Sequence, residues 1–186
     1  MSIGRRRLLK DGVCLGVGLT LSPALAPGQA DPAALRPQQD DLLVRSGDAG
    51  ATPLIPDDIK RAETQTLAWA MDPKDGTVRS GSRLNLVLLL RLDPARLSPD
   101  TRSRSADGIV GYTAICTHTG CEVEEWRAEE ELLYCGCHGS MFDPKDGARV
   151  VDGPAPRMLP ALPLKVVDGR LVVADAFTAR VGFQAV

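Results

Sequence analysis

The stretch Leu164-Lys165-Val166-Val167-Asp168-Gly169-Arg170-Leu171-Val172-Val173 consists of two runs rich in β-formers joined by an Asp-Gly pair. Asp and Gly tolerate the positive φ angles of a tight primed turn, so the stretch predicts a β-hairpin. The same punctuation recurs at Asp75-Gly76, Asp107-Gly108 and Asp146-Gly147. Between these turns lie a nearly continuous apolar run, Leu84 to Leu92, and the shorter apolar segments Ile109 to Ile115 and Leu132 to Tyr134. Short apolar segments separated by glycine turns predict an antiparallel, all-β domain. Pro94 to Asp107, rich in Ser, Arg and Asp, is expected as a surface excursion between strands, and no internal repeat is evident.

The composition suits a globular chain: of 186 residues, 44% are apolar and 25% charged. A formal charge of −2 offers no general attraction for nucleic acid or for an anionic membrane, and excludes both as broad electrostatic partners. The longest apolar stretch, Gly12 to Ala26, contains Pro23 and is shorter than the roughly 18 to 20 residues of a spanning helix.

Residues 1–30 read as an address: Arg5-Arg6-Arg7-Leu8-Leu9-Lys10 precedes a short, glycine-containing apolar region, close to a twin-arginine export signal. Cleavage is expected after Ala30, the alternative being an uncleaved anchor that would supply the chain's one membrane contact. Export to the periplasm as an already folded chain is the expectation, because that is the route a twin-arginine signal addresses. Cys14 lies in the apolar region and is given no function. Residues 31–39, rich in Pro, Ala and Gln, are expected as a flexible linker, with the domain occupying residues 40–186.

Both histidines and four of the five cysteines fall between Cys116 and His138. They form two short motifs, Cys116-Thr117-His118-Thr119-Gly120-Cys121 and Cys135-Gly136-Cys137-His138-Gly139-Ser140. Four metal ligands can be drawn from them in more than one way, and spacing alone allows a structural zinc site of Cys2His2 type. Such a site would leave two thiols over, and in an oxidising compartment a leftover pair in facing loops is expected to form a disulfide.

The pattern Cys-Thr-His-x-Gly-Cys followed, after 13 residues, by Cys-x-Cys-His-Gly-Ser resembles the Rieske iron-sulfur proteins, specifically their disulfide-containing branch. That resemblance implies Rieske-type antiparallel sheets with a small cluster-binding subdomain at about residues 110–158. It implies one [2Fe-2S] cluster per chain, with Cys116 and Cys135 on one iron and His118 and His138 on the other. It implies a Cys121–Cys137 disulfide, a Ser140 hydroxyl donating to a bridging sulfide, and a proline loop at Gly153-Pro154-Ala155-Pro156. Imidazole in place of two thiolates leaves the oxidised cluster neutral and easier to reduce, within a range of roughly −150 to +300 mV. Phe142 stands where high-potential members have a Tyr that donates to a ligand thiolate, and Thr119 where they have Leu. A potential below theirs is therefore expected, yet above that of disulfide-free ferredoxins.

The function implied is an electron-transfer subunit that takes single electrons from a catalytic redox subunit, like the small subunit of arsenite-oxidase-type molybdenum enzymes, and hands them to a c-type cytochrome. The alternative is the iron-sulfur subunit of a quinol-cytochrome c reductase, working beside cytochrome b; a zinc-binding module is the remote one. No nucleophile or general base is evident outside the cluster motifs, so substrate chemistry is expected in a partner. The glutamates at 122, 124, 125, 129, 130 and 131 around Trp126 read as a solvated connection.

Overall fold

The computed structural model describes residues 31–61 and 64–183; the readings on residues 1–30, Cys14 included, lie outside the described residues. The chain folds into two antiparallel sheets. The larger contains β1 (Leu42–Arg45), β2 (Thr66–Met71), β3 (Val87–Arg91), β4 (Ile109–Thr113), β9 (Leu164–Val167) and β10 (Arg170–Val173), in the order β4-β3-β2-β1-β10-β9. The smaller, β5 (Glu125–Arg127), β6 (Leu132–Cys135), β7 (Ser140–Asp143) and β8 (Arg149–Asp152), is inserted between β4 and β9 and runs in sequence order. Residues just before β9 close the large sheet against β4: the Thr113 amide donates to Pro160 O at 2.9 Å and the Leu162 amide to Gly111 O at 2.9 Å.

The continuous apolar run around β3 follows from this layering. Side chains alternate across a strand; Leu88 and Leu90 join a core shared with the small sheet, while Val87 and Leu89 join one inside the large sheet. A strand buried on both faces has no polar alternation to display. The predicted hairpin is β9–β10, with Asp168 at φ 50° and Gly169 at φ 74° and Val167 paired to Arg170. At Asp146-Gly147 the left-handed residues are instead Gly147 and Ala148, one position later than the dipeptide suggests.

Two segments differ from expectation. Residues 94–107 do connect strands, but they include the short helix α1 (Pro99–Ser103) and are tied to the small sheet. Leu97 and Thr101 are buried, the Ser98 amide donates to Lys145 O at 2.9 Å, and the Gly147 amide donates to Thr101 Oγ1 at 2.8 Å. The polar residues that suggested an excursion are the cap and anchors of a strap. Residues 31–39 are also seated on the domain: buried Asn85 donates to Leu35 O at 2.7 Å and accepts from Arg36 Nη1 at 3.1 Å, while the Gly81 amide donates to Ala33 O. Nearby, Arg79 and Asp41 form a buried bidentate pair at 2.5 and 2.9 Å. Among the described residues no helix is long and apolar enough to cross a membrane.

Candidate metal centre

The two motifs occupy facing loops. The first, residues 116–121, follows β4 and folds back on itself, the Cys116 amide donating to Cys121 O at 2.7 Å and the Gly120 amide to Cys116 O at 3.1 Å. The second is the β6–β7 hairpin loop, whose ends Cys135 and Ser140 are paired and whose Gly139 amide donates to Cys135 O. Gly120 and Gly139 take the left-handed conformations that close these loops, φ 82° and 78°. A Cys121–Cys137 disulfide joins the loops.

The remaining donors sort by type. Cys116 and Cys135 are reduced, buried and in mutual contact, and burial pushes the Cys116 thiol up, against the His118 backbone amide and the Ser140 hydroxyl, which favour its thiolate. The His118 and His138 rings meet edge to face with centroids 4.7 Å apart, His138 being exposed and His118 half-buried. Among the described residues, His118 Nδ1 is the one buried side-chain N or O without a hydrogen-bond partner. A buried nitrogen left so is costly unless something outside the polypeptide takes its lone pair. Among the described residues no three donors group about one ion position, whereas the thiols touch each other and the imidazoles touch each other, so the set offers two pairs of donors, one for each of two metals. The residues therefore fit a [2Fe-2S] cluster better than a single tetrahedral ion.

A third loop packs on both motifs. Gly153, at φ 83°, presses against the second: a Cβ there would lie 2.5 Å from Ser140 Cα and 2.7 Å from Gly139 O. The Ala155 amide donates to Ser140 Oγ at 3.1 Å, and Thr117 Oγ1 donates to Arg157 O at 2.6 Å. Gly153-Pro154-Ala155-Pro156 is thus seated on the second motif, and Arg157 just beyond it ties the loop to the first, while fixed proline φ angles stiffen it. Ser140 accepts from Ala155, which leaves its own O–H free to donate beside Cys116.

Phe142 is fully buried in the shared core, and Thr119 is exposed. Tyr112, buried beneath, donates to Pro144 O at 2.8 Å; burial pushes its phenol up, which keeps it a donor. Of the glutamates, Glu131 pairs with Arg96 and Lys145, and Glu125 with Arg127. Sequence reasoning missed Thr117, Arg157 and Arg83, whose Nη2 donates to Gly120 O at 2.5 Å. Their partners are distant in sequence, so no local signal marked them.

Residues 98–163 match the family described as Rieske [2Fe-2S] domain. The chain is 33% identical over 133 residues to the cytochrome bc1 complex Rieske iron-sulfur subunit of Streptomyces lividans, covering 70% of this chain and 78% of that protein. The subunit of the same description from Streptomyces coelicolor is 33% identical over 133 residues, 70% of this chain but 38% of the relative. A putative respiratory nitrate reductase subunit Rieske from Haloferax mediterranei is 45% identical over 76 residues, 40% of this chain and 34% of the relative.

Proposed function

Because the chain belongs to the Rieske [2Fe-2S] family, related to the iron-sulfur subunits of cytochrome bc1 complexes, we propose that this electron-transfer subunit carries single electrons from a partner oxidoreductase to a c-type cytochrome or similar carrier. In this reading Cys116 and Cys135 would hold one iron, and His118 and His138 the other. The observation that carries the assignment is the unpartnered His118 Nδ1 beside two buried thiols. When bound, the cluster supplies a one-electron couple.

The chain's own residues prepare that site. The shared core keeps Cys116 and Cys135 away from water, while exposed His138 lies at the surface where a partner can approach. The Ala155 amide orients Ser140, whose hydroxyl is positioned to stabilise negative charge at the Cys116 side. The Cys121–Cys137 bridge and the proline loop hold the two motifs at fixed separation, which limits rearrangement on electron transfer.

Phe142, which donates no hydrogen bond, and Thr119 support service to a catalytic redox subunit, and the nitrate reductase relative is a protein of that kind by its description. The second reading is the iron-sulfur subunit of a quinol-oxidising complex, where cytochrome b would be a partner; the 133-residue similarity to cytochrome bc1 subunits favours it. The export reading of residues 5–19 supports a periplasmic setting for either role; the mass of the protein recovered from the periplasmic fraction, with or without residues 1–30, tests both export and cleavage.

An EPR-monitored redox titration at two pH values discriminates the two. A rhombic reduced signal at a potential below the quinol-oxidising range, with little pH dependence near neutrality, supports the first reading. A higher, pH-dependent potential supports the second, and zinc in place of iron would overturn both. His138→Ala is expected to abolish the assembled cluster; a variant with full iron and sulfide would refute the ligand assignment.

A further inference from the structure

The residue after His118 is exposed Thr119, so the chain has no apolar cover from that position. Gly120, one residue on, is nonetheless buried: Arg83 lies against it on the polar side, donating to its carbonyl, and its apolar cover comes from residue 183. A Cβ on Gly120 would lie 3.2 Å from Phe183 Cδ1. Phe183 itself is 51% exposed, so its ring lies against the loop along the Cδ1–Cε1 side and meets solvent elsewhere.

The segment bearing it is fastened. Val181 is buried, and the Gly182 carbonyl accepts from Arg157 Nη2 at 2.5 Å. Gly182 has φ 84° and lies close enough to Leu84 that a Cβ would sit 3.2 Å from Leu84 Cδ2. Arg157 also accepts, through its carbonyl, from the Thr117 hydroxyl between two ligand positions. Arg157 thus holds both the first motif and the 181–183 segment lying against it.

From this geometry we propose that residues 181–183 form a fourth wall of the cluster cradle, beside the two motifs and the proline loop, and that Phe183 restricts the approach of water and small reagents to the loop carrying His118. The inference rests on the Rieske reading above and adds to it a shielding residue and its fastening. Access to a group behind such a wall requires local opening, and a wall held by one ring and one guanidinium opens more often when either is removed.

The test uses the full chain loaded with its cluster. The first-order loss of visible cluster absorbance is followed under excess EDTA, and broadening of the reduced EPR signal is read with a soluble dysprosium chelate. Phe183→Ala and Arg157→Met are expected to lose the cluster about fivefold faster than wild type and to broaden more, from the same starting iron and sulfide. Phe183→Leu, which keeps an apolar cover, is expected to stay within about twofold, and Val167→Ala on the β9–β10 hairpin to match wild type. Phe183→Ala at the wild-type rate, or Phe183→Leu as fast as Phe183→Ala, would overturn the proposal. If Phe183→Ala fails to assemble, the contrast between Arg157→Met and Phe183→Leu decides it, equal rates overturning it. Wild-type protein that binds no cluster would instead overturn the Rieske reading, so the two failures are distinguishable.

Discussion

Replacing Gly153 by Ala places a methyl group where the proline loop meets the β6–β7 loop. The added Cβ would lie 2.5 Å from Ser140 Cα, 2.7 Å from Gly139 O and 2.8 Å from Ser140 N, all backbone atoms that no rotamer change can clear. The residue must also hold φ 83°, which costs a non-glycine residue roughly 1–2 kcal/mol. Relieving the overlap means lifting the proline loop, which breaks the Ala155-to-Ser140 hydrogen bond at a further cost of about 1 kcal/mol and loosens packing on Ala155. Together these give about 3 kcal/mol, or a fall in thermal midpoint of about 6–12 °C for a chain of this size. Gly169→Ala is the matched control, because Gly169 has φ 74° and a methyl group added there would meet nothing within 4 Å, leaving the conformational cost alone, about 1–2 kcal/mol. Differential scanning calorimetry of both variants, each loaded with cluster, makes the comparison. Equal midpoints for the two would refute the claim that the proline loop is seated by direct backbone contact.

Tyr112→Phe removes the donor to the buried Pro144 carbonyl and is expected to destabilise the fold by about 1–2 kcal/mol, read as a lower thermal midpoint with the EPR line shape retained. An unchanged midpoint would show that the carbonyl finds another donor. The Glu131 carboxyl is held below its ordinary value of 4.5, first by Arg96 and then by Lys145. A carboxyl lowered in the folded state contributes stability above its unfolded pKa and loses it as pH falls through the folded one. The midpoint gap between wild type and Arg96→Ala should therefore be present near neutrality and narrow below pH 4.5, and a gap that widens in acid would contradict the pairing.

What the sequence made legible was whatever is encoded locally. Asp168-Gly169 carries its turn in two adjacent residues, and the apolar run around β3 carries burial on both faces in its lack of alternation. The metal motifs are legible for the same reason, since each holds its donors within six consecutive residues. The strap at 94–107 was not, because Ser98 and Thr101 look like loop residues until Lys145 and Gly147 arrive from the small sheet. Residues 31–39 misled in the same way: their order comes from Asn85, about 50 positions away. Phe183 against Gly120 is the extreme case, a contact between the end of the described chain and its functional loop that no pattern within either segment announces.

The small sheet leaves the large one at Thr113 and comes back at Pro160, and those two residues are hydrogen-bonded to each other. The insert that carries both metal motifs is therefore a cassette whose two ends meet at one hydrogen-bonded seam. Length added at a remote turn, such as the one joining β5 to β6, can reshape the face presented to a partner without moving that seam. Such a construction lets one β framework serve different redox partners by exchanging what hangs from it, with the framework's own pairing left intact.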